Sequence, residues 1–235
     1  MHPYLAEFIG ATLLILLGGG VVANCILKNN KGFNGGWIVI SFGWAMAVFV
    51  GVFVSASSSG AHLNPAVTLA LAFCKHFAWH SVPFYIVAQI AGAMTGAFLV
   101  WVSYRKHFAA TDDTASKLGV FCTAPAIRSY PDNLLTEIIA TFVLVFGVLY
   151  IATPEVGLGA LDALPVALLV LAIGLSLGGA TGYAINPARD LGPRIMHALL
   201  PIPEKGDSDW KYSWVPVLGP VAGAALAALV YCLIM

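Results

Sequence analysis

Charged residues are scarce in this chain of 235 residues. Asp, Glu, Lys and Arg together make up 9% of the sequence, and 11 acidic side chains balance 11 basic ones. Hydrophobic residues make up 60%, and the mean hydropathy is +0.88. A chain with so little charge cannot cover a soluble surface, which indicates an integral membrane protein. The lack of a basic stripe argues against a nucleic-acid partner.

Patterns for metal binding and catalysis are lacking as well. The sequence contains neither a Cys-x-x-Cys pair nor a cluster of Cys and His with metal-ligand spacing. We therefore expect no metal and no cofactor. We also expect that the protein is not an enzyme, since the apolar segments contain no pairing of a nucleophile with a general base. The cysteines are interpreted as small core residues, namely Cys25, Cys74, Cys122 and Cys232.

Long apolar runs dominate what the sequence does contain. A helix of about 20 apolar residues can cross a hydrocarbon core of roughly 30 Å, and the sequence predicts six such transmembrane helices. Polar loops separate them, including a Gly-containing loop at Glu155–Asp162 and a long connection at His107–Asn133. The predicted spans are Pro3–Leu27, Trp37–Ser55, Val82–Ser103, Leu134–Ile151, Ala163–Gly178 and Ser213–Met235.

The pattern Gly-x-x-x-Asn-Pro-Ala occurs twice, at Gly60–Ala66 and at Gly182–Ala188. Asn is a favoured helix cap and Pro is tolerated in the first turn, so each pattern predicts the start of a helix. The apolar runs that follow, Pro65 to about Cys74 and Pro187 to about Leu199, are too short to cross a bilayer. We predict two half-helices that dip into the membrane.

The two halves of the chain share one order of elements. Each contains three predicted spans with a half-helix after the second, and Glu7 and Glu137 lie near the starts of the halves. Three is an odd number, so the second half enters the membrane from the opposite side and the repeat is inverted. The repeats cover about residues 1–106 and 134–235. Because half-helix N-termini inside a membrane must face a polar cavity, this arrangement predicts a pore.

These features resemble those of a known family. The paired Asn-Pro-Ala boxes, Arg189 three residues after the second Asn, and a glutamate in the first and fourth spans resemble the major intrinsic protein family of water and glycerol channels. Asp190 and Pro216-Val217 are similar to its aquaglyceroporin branch, the glycerol facilitators. The resemblance covers the whole chain. It implies an all-α, aquaporin-like channel domain over residues 1–235, in the cell membrane, and a homotetramer with one pore in each subunit.

The resemblance also implies a selectivity filter formed by Trp44, Gly174, Tyr183 and Arg189. An ionisable residue in a membrane-dipping helix is functional by default, and Arg189 is expected to be the charged wall of the narrowest point. Gly174 is expected to leave room for the solute, while Trp44 and Tyr183 form an aromatic corner that suits a small polyol. Tyr183 replaces the phenylalanine typical of glycerol facilitators, so we expect a filter that is more polar and slightly narrower.

Further roles follow for the boxes and for the acidic residues. The asparagines of Asn64-Pro65-Ala66 and Asn186-Pro187-Ala188 are expected to cap their helices and to point N–H donors into the lumen. Glu7 and Glu137 are interpreted as acceptors for loop N–H groups rather than as proton relays. Asp190 is expected to brace its loop and Arg189. The carbonyl groups expected to form an acceptor ladder belong to Gly60, Ala61, His62, Tyr183, Ala184 and Ile185.

The leading hypothesis is a passive channel for glycerol and similar small uncharged solutes, with water also permeating. The alternative is a channel mainly for another small neutral solute, such as protonated lactic acid or dihydroxyacetone, or chiefly for water. A coupled transporter is disfavoured, because no series of ionisable residues crosses the spans. Membrane lipid is an expected partner.

The distribution of charge and the resemblance predict opposite orientations. The resemblance implies a cytoplasmic N-terminus, yet the loops on that face carry only Lys75. The positive-inside rule therefore favours the opposite orientation. The other face carries Lys28, Lys31, Arg105, Lys106, Lys117, Arg128, Arg194, Lys205 and Lys211.

Overall fold

The computed structural model describes residues 1–151 and 161–235 of the chain. The described residues form helices and turns without β-strands, which confirms the predicted all-α fold. The predicted loop at Glu155–Asp162 lies almost entirely outside the described residues. The α-helices are α1 (Pro3–Ile26), α2 (Gly36–Ser59), α3 (Pro65–Phe73), α4 (Val82–Ala110), α5 (Thr114–Gly119), α6 (Tyr130–Ile151), α7 (Leu164–Ser176), α8 (Pro187–Leu199) and α9 (Val215–Ile234).

Within the described ranges, five helices are long and apolar enough to cross a membrane. They are α1, α2, α4 together with the 3₁₀ turn Trp79–Ser81 before it, α6 and α9. The predicted fifth span, Ala163–Gly178, corresponds to α7, which is apolar but has 13 residues and a length of about 20 Å. It ends at Ser176, shortly before Gly178 and Gly179, since glycine is a poor helix former.

The third span is longer than predicted, because α4 continues through Arg105-Lys106-His107 to Ala110. Tyr104 interrupts it with non-helical backbone angles (φ −111°, ψ 15°), so the charged end of the helix changes direction after the apolar part. The polar connection that follows is partly helical. Asp113 caps α5 by accepting hydrogen bonds from the backbone N–H groups of Ala115 and Ser116. Hydrogen bonds from Ser116 also hold the pKa of Asp113 below its ordinary value.

The half-helices α3 and α8 begin where the sequence predicts. Asn64 and Asn186 both have extended backbone angles, with φ of −156° and −153°. The side-chain oxygen of Asn64 accepts from the Ala66 N–H at 2.9 Å, and that of Asn186 accepts from the N–H groups of Ala188 and Arg189. Each asparagine therefore caps the helix that its Asn-Pro-Ala box opens.

The half-helices pack across the two halves of the chain. α3 lies against α9 and α8 lies against α4, while the N-terminal tips of α3 and α8 meet. Within the halves, α1 packs on α4 and α6 packs on α9. These long helices approach closely at glycines. A Cβ atom on Gly92 would lie 2.3 Å from the Phe8 carbonyl oxygen, and one on Gly223 would lie 2.4 Å from that of Ile138. Gly219 and Gly223 of α9 form a Gly-x-x-x-Gly pattern, and small residues at this spacing let membrane helices approach closely.

We expect Gly223→Ala to destabilise the protein by about 1–3 kcal/mol, because the new methyl group would meet backbone that cannot move aside. Gly20→Ala in α1 is the matched control, since no atom lies within 4 Å of its Cβ position. The measurement is the loss of the monodisperse peak after heating in detergent. Equal thermal midpoints for the two variants would contradict the close packing of α6 and α9.

Candidate functional site

A cavity of about 580 Å³ lies along the junction of the half-helices. Trp44, Val48, Val52 and Ala56 line it at successive turns of α2. The cavity therefore follows that helix for about 18 Å, at a rise of about 1.5 Å per residue. Asn64 and Asn186 both line it, so the half-helix tips open onto this space.

The two sides of the cavity differ in chemistry. The spans contribute aliphatic side chains, and the unwound segments before the half-helices contribute backbone and the two asparagine amides. A lumen of this kind can contact CH groups on one side and hydroxyl groups on the other. The aliphatic lining comes from Leu14, Val48, Val52, Leu144, Val148, Val166 and Val170 of the spans and from Val67 and Leu71 of α3. All six residues of the predicted carbonyl ladder line the cavity, as does Leu63.

The unwound segments have strained backbone. Ala61 and Leu63 have φ of 51° and 50°, and Tyr183 and Ile185 have φ of 39° and 44°. A left-handed conformation costs about 1 kcal/mol or more for a residue with a side chain, so surrounding contacts must hold it. The same alternate positions are strained in both segments. The two halves therefore build their pore linings in the same way.

Glu7 holds the first segment and is fully buried. Its carboxylate accepts from the backbone N–H groups of His62 at 2.9 Å and Leu63 at 2.7 Å. It also accepts from the Ser59 hydroxyl and from the Gln89 amide, both at 2.7 Å. An ionised carboxylate only accepts hydrogen bonds, so it matches a group of donors that hydrocarbon would leave unpaired.

Glu137 holds the second segment with equivalent partners. Its carboxylate accepts from the backbone N–H groups of Ala184 and Ile185, both at 2.9 Å, and from the Thr181 hydroxyl at 2.6 Å. Its side chain is 1% exposed. Glu7 and Glu137 thus accept from equivalent backbone N–H groups of the two unwound segments.

The asparagine amides join the two halves at the centre. Asn64 Nδ2 donates to the Ile185 carbonyl, and Asn186 Nδ2 donates to the Leu63 carbonyl, both at 2.8 Å. Because each amide group carries two hydrogens, one N–H remains for a molecule in the cavity. The Leu63 carbonyl was missing from the predicted ladder. It is the counterpart of Ile185 in the other segment.

Arg189 and Trp44 form one end of the cavity. The guanidinium carbon of Arg189 lies 4.2 Å from the centre of the Trp44 ring, a cation–π contact. Arg189 Nη1 donates to the Phe121 carbonyl at 3.5 Å. Arg189 is 8% exposed and lines the cavity, so its other N–H groups are available to a solute there.

Tyr183 lines the same end of the cavity. The hydroxyl oxygen is buried beside Gly174, where a Cβ atom would lie 3.2 Å from it. This burial argues against the expected gain in polarity at the filter, and the expectation that Tyr183 narrows the filter stays a prediction. Gly174 lies behind the Tyr183 ring and is not one of the described residues that line the cavity.

Comparison with known proteins decides the family. The family model described as Major intrinsic protein matches residues 1–231. The chain belongs to the major intrinsic protein family. It is 58% identical over 231 residues to the probable glycerol uptake facilitator protein of Thermotoga maritima, covering 98% of both chains. It is 52% identical to the glycerol uptake facilitator protein of Streptococcus pneumoniae, covering 99% of both.

A solved structure supports the same membership. The aquaglyceroporin from Plasmodium falciparum matches with a TM-score of 0.85 and 31% identity, over 97% of this chain and 94% of that one. As a member of the major intrinsic protein family with several membrane-crossing helices, the protein is a multi-pass channel of the cell membrane and not an enzyme.

Asp190 makes its hydrogen bonds to Thr123 and Arg194. It pairs with Arg194, whose Nε lies 2.8 Å from Oδ1, and both side chains are fully buried. It also accepts from the backbone N–H and the hydroxyl of Thr123. No hydrogen bond joins it to Arg189 in the described part of the chain. Asp190 instead fixes the segment that carries Phe121, whose carbonyl accepts from Arg189. Asp190 thereby braces the loop and, through the Phe121 carbonyl, supports Arg189.

Several residues that hold the loops were missed from the sequence. Ser59 and Thr181 donate to the two glutamates, and each directly precedes the glycine of its pattern. That shared position was a readable signal, because a hydroxyl residue occurs there in both repeats. Gln89 carried no such signal, since it lies in the middle of α4 and has no equivalent in the pattern. Its amide donates to Glu7 and to Thr68.

We expect Glu137→Gln to lower the stability of the protein by about 2–3 kcal/mol, because one acceptor oxygen and an NH₂ group replace two acceptor oxygens. Osmotic water permeability in vesicles should fall with it, since the Ala184 and Ile185 N–H groups lose their shared partner. Glu204→Gln on the exposed loop is the matched control and should change neither value. A variant with the parent's midpoint and permeability would show that Glu137 does not hold the pore lining.

Proposed function

We propose that the protein is a passive channel for glycerol and similar small uncharged solutes, and that water also permeates it. The relatives that carry glycerol in their printed names match over nearly the full length of both chains, which supports this substrate class. We further propose one channel domain over residues 1–235, built from inverted repeats at about 1–106 and 134–235. The protein would assemble in membrane lipid as a homotetramer with a pore in each subunit.

The observation that carries this proposal is the two-sided lining of the cavity. Aliphatic side chains can contact the carbon backbone of a polyol while carbonyl oxygens accept from its hydroxyl groups. Arg189 supplies donors at the filter, and Trp44 supplies an aromatic face there. A channel built for water alone has no need of a continuous apolar side.

Passive permeation is favoured over coupled transport. Glu7 and Glu137 are the acidic residues buried in the spans, and their carboxylates are engaged with loop donors rather than aligned along the cavity. The positive ends of two helix dipoles and the Asn64 and Asn186 amides meet at the centre. Cations are disfavoured there, and a water molecule that accepts from both amides cannot continue a proton wire.

The test is stopped-flow light scattering of vesicles that contain the purified protein. After a glycerol shock, these vesicles should shrink and re-swell at least severalfold faster than protein-free vesicles. Re-swelling at the protein-free rate would overturn the proposal. The same vesicles tested with lactic acid at low pH, with dihydroxyacetone and with a water gradient would identify a channel for one of those solutes instead.

Tyr183→Phe gives a second prediction. Because the Tyr183 hydroxyl is buried away from the lumen, we expect the glycerol permeability of this variant to stay within about twofold of the parent. The measurement is the same re-swelling rate, divided by the osmotic water permeability of the same vesicles. A loss of glycerol flux beyond that, with water flux retained, would place the hydroxyl in contact with the solute.

A further inference from the structure

The Tyr183 ring is seated in a recess between two glycines of the α7 region. A Cβ atom on Gly174 would lie 3.0 Å from Tyr183 Cζ, and one on Gly178 would lie 2.4 Å from Tyr183 Cδ1. The Gly178 Cβ position also lies 2.6 Å from the Gly174 carbonyl oxygen and 2.8 Å from the Trp37 ring, so the two glycines are close together and their missing side chains leave one groove. The phenol ring fills that groove.

The opposite wall of the recess comes from α2. Trp37 contacts the Tyr183 ring edge to face, with the ring centres 5.8 Å apart, and its indole N–H donates to the Gly174 carbonyl at 2.9 Å. Ser41 lies one turn further along α2. Its hydroxyl oxygen and that of Tyr183 are each 3.2 Å from the Cβ position of Gly174. Both hydroxyls are buried, so the hydroxyl end of the ring is enclosed by protein.

We propose that Gly174 and Gly178 are small in order to seat Tyr183, and that this recess with Trp37 and Ser41 sets the width of the filter. This inference deepens the proposed function, on which its polyol readout rests. It differs from the expectation that Gly174 makes room for the solute itself. The space beside Gly174 is occupied by protein, and the solute space lies on the other face of the ring.

The Tyr183 ring can move only toward the cavity. Backing it away from the cavity is blocked by α7 and by Trp37, which its hydrogen bond to Gly174 holds in place. The Tyr183 backbone is also fixed, because the next two N–H groups donate to Glu137. A methyl group on Gly174 therefore pushes the ring toward Arg189 and Trp44. The filter becomes narrower although the substituted residue does not face the lumen.

The experiment compares Gly174→Ala and Gly178→Ala with Gly179→Ala in the vesicle assay. Gly179 is the matched control, because it is exposed and no atom lies within 4 Å of its Cβ position. We expect the first two variants to lose about tenfold or more in glycerol permeability relative to water, and more for a four-carbon polyol. The control should match the parent. Permeability ratios equal to the parent's in both Gly174→Ala and Gly178→Ala would overturn the proposal.

A double variant separates the two explanations for Gly174. In a Tyr183→Ala background the ring is gone, so adding Gly174→Ala should change the glycerol-to-water ratio by less than about twofold. An equal loss with and without the ring would show that Gly174 makes room for the solute directly, and would overturn the proposal. If Gly174→Ala does not give a monodisperse protein, Ser41→Val tests the recess from its other wall, in the same two backgrounds.

Failure of the proposed function would be recognisable separately. A parent protein that conducts water but no glycerol contradicts the glycerol channel and leaves the recess to be tested on water. In that case Gly174→Ala should reduce water permeability when Tyr183 is present and not in the Tyr183→Ala background. Equal reductions in both backgrounds would overturn the recess on this readout too.

Discussion

The structure depends on acceptors for backbone N–H groups that hydrocarbon cannot satisfy. Each unwound segment turns its carbonyl groups to the cavity by adopting left-handed angles, and this leaves N–H groups on the far side without helical partners. Glu7 and Glu137 supply those partners from the first helix of each half. Removing either carboxylate would leave both the strain and the unpaired donors, so the pore lining and the buried acids form one unit.

The same constraint explains why the half-helices meet. A helix that starts inside a membrane exposes donors at its tip, and each Asn caps its own helix while donating to a carbonyl of the other half. These reciprocal hydrogen bonds join the two halves where the half-helix tips meet. The packing of α3 on α9 and of α8 on α4 holds the rest of each half-helix in place. The lumen is polar where the unwound backbone, the asparagine amides and Arg189 line it. The spans can therefore remain aliphatic and still conduct a solute with hydroxyl groups.

Local patterns could be predicted from the sequence, and so could the loop contacts of Glu7 and Glu137 from their repeated placement, but most other contacts between distant segments could not. The starts of α3 and α8 follow from Asn and Pro at fixed positions, because capping is a local interaction. The Arg194 partner of Asp190 and the recess behind Tyr183 depend on which helices pack together. Sequence spacing gives Gly174 a place in the filter, but only packing shows that the Tyr183 ring takes the space its missing side chain leaves.

The charge distribution has a structural cause that the positive-inside rule does not consider. Arg194 and Lys117 are buried, and they donate to Asp190 and to the carbonyls of Pro203 and Glu204. Other basic residues on the membrane face that carries most of the Lys and Arg also have partners. Lys28 pairs with Asp112, Arg128 pairs with Asp209, and Lys205 donates to the last carbonyls of α8. These cations hold the long loops over the filter, where Arg189 needs the Phe121 carbonyl in place. These Lys and Arg residues therefore have structural roles at the mouth of the pore. The positive-inside rule counts them as signals of membrane orientation.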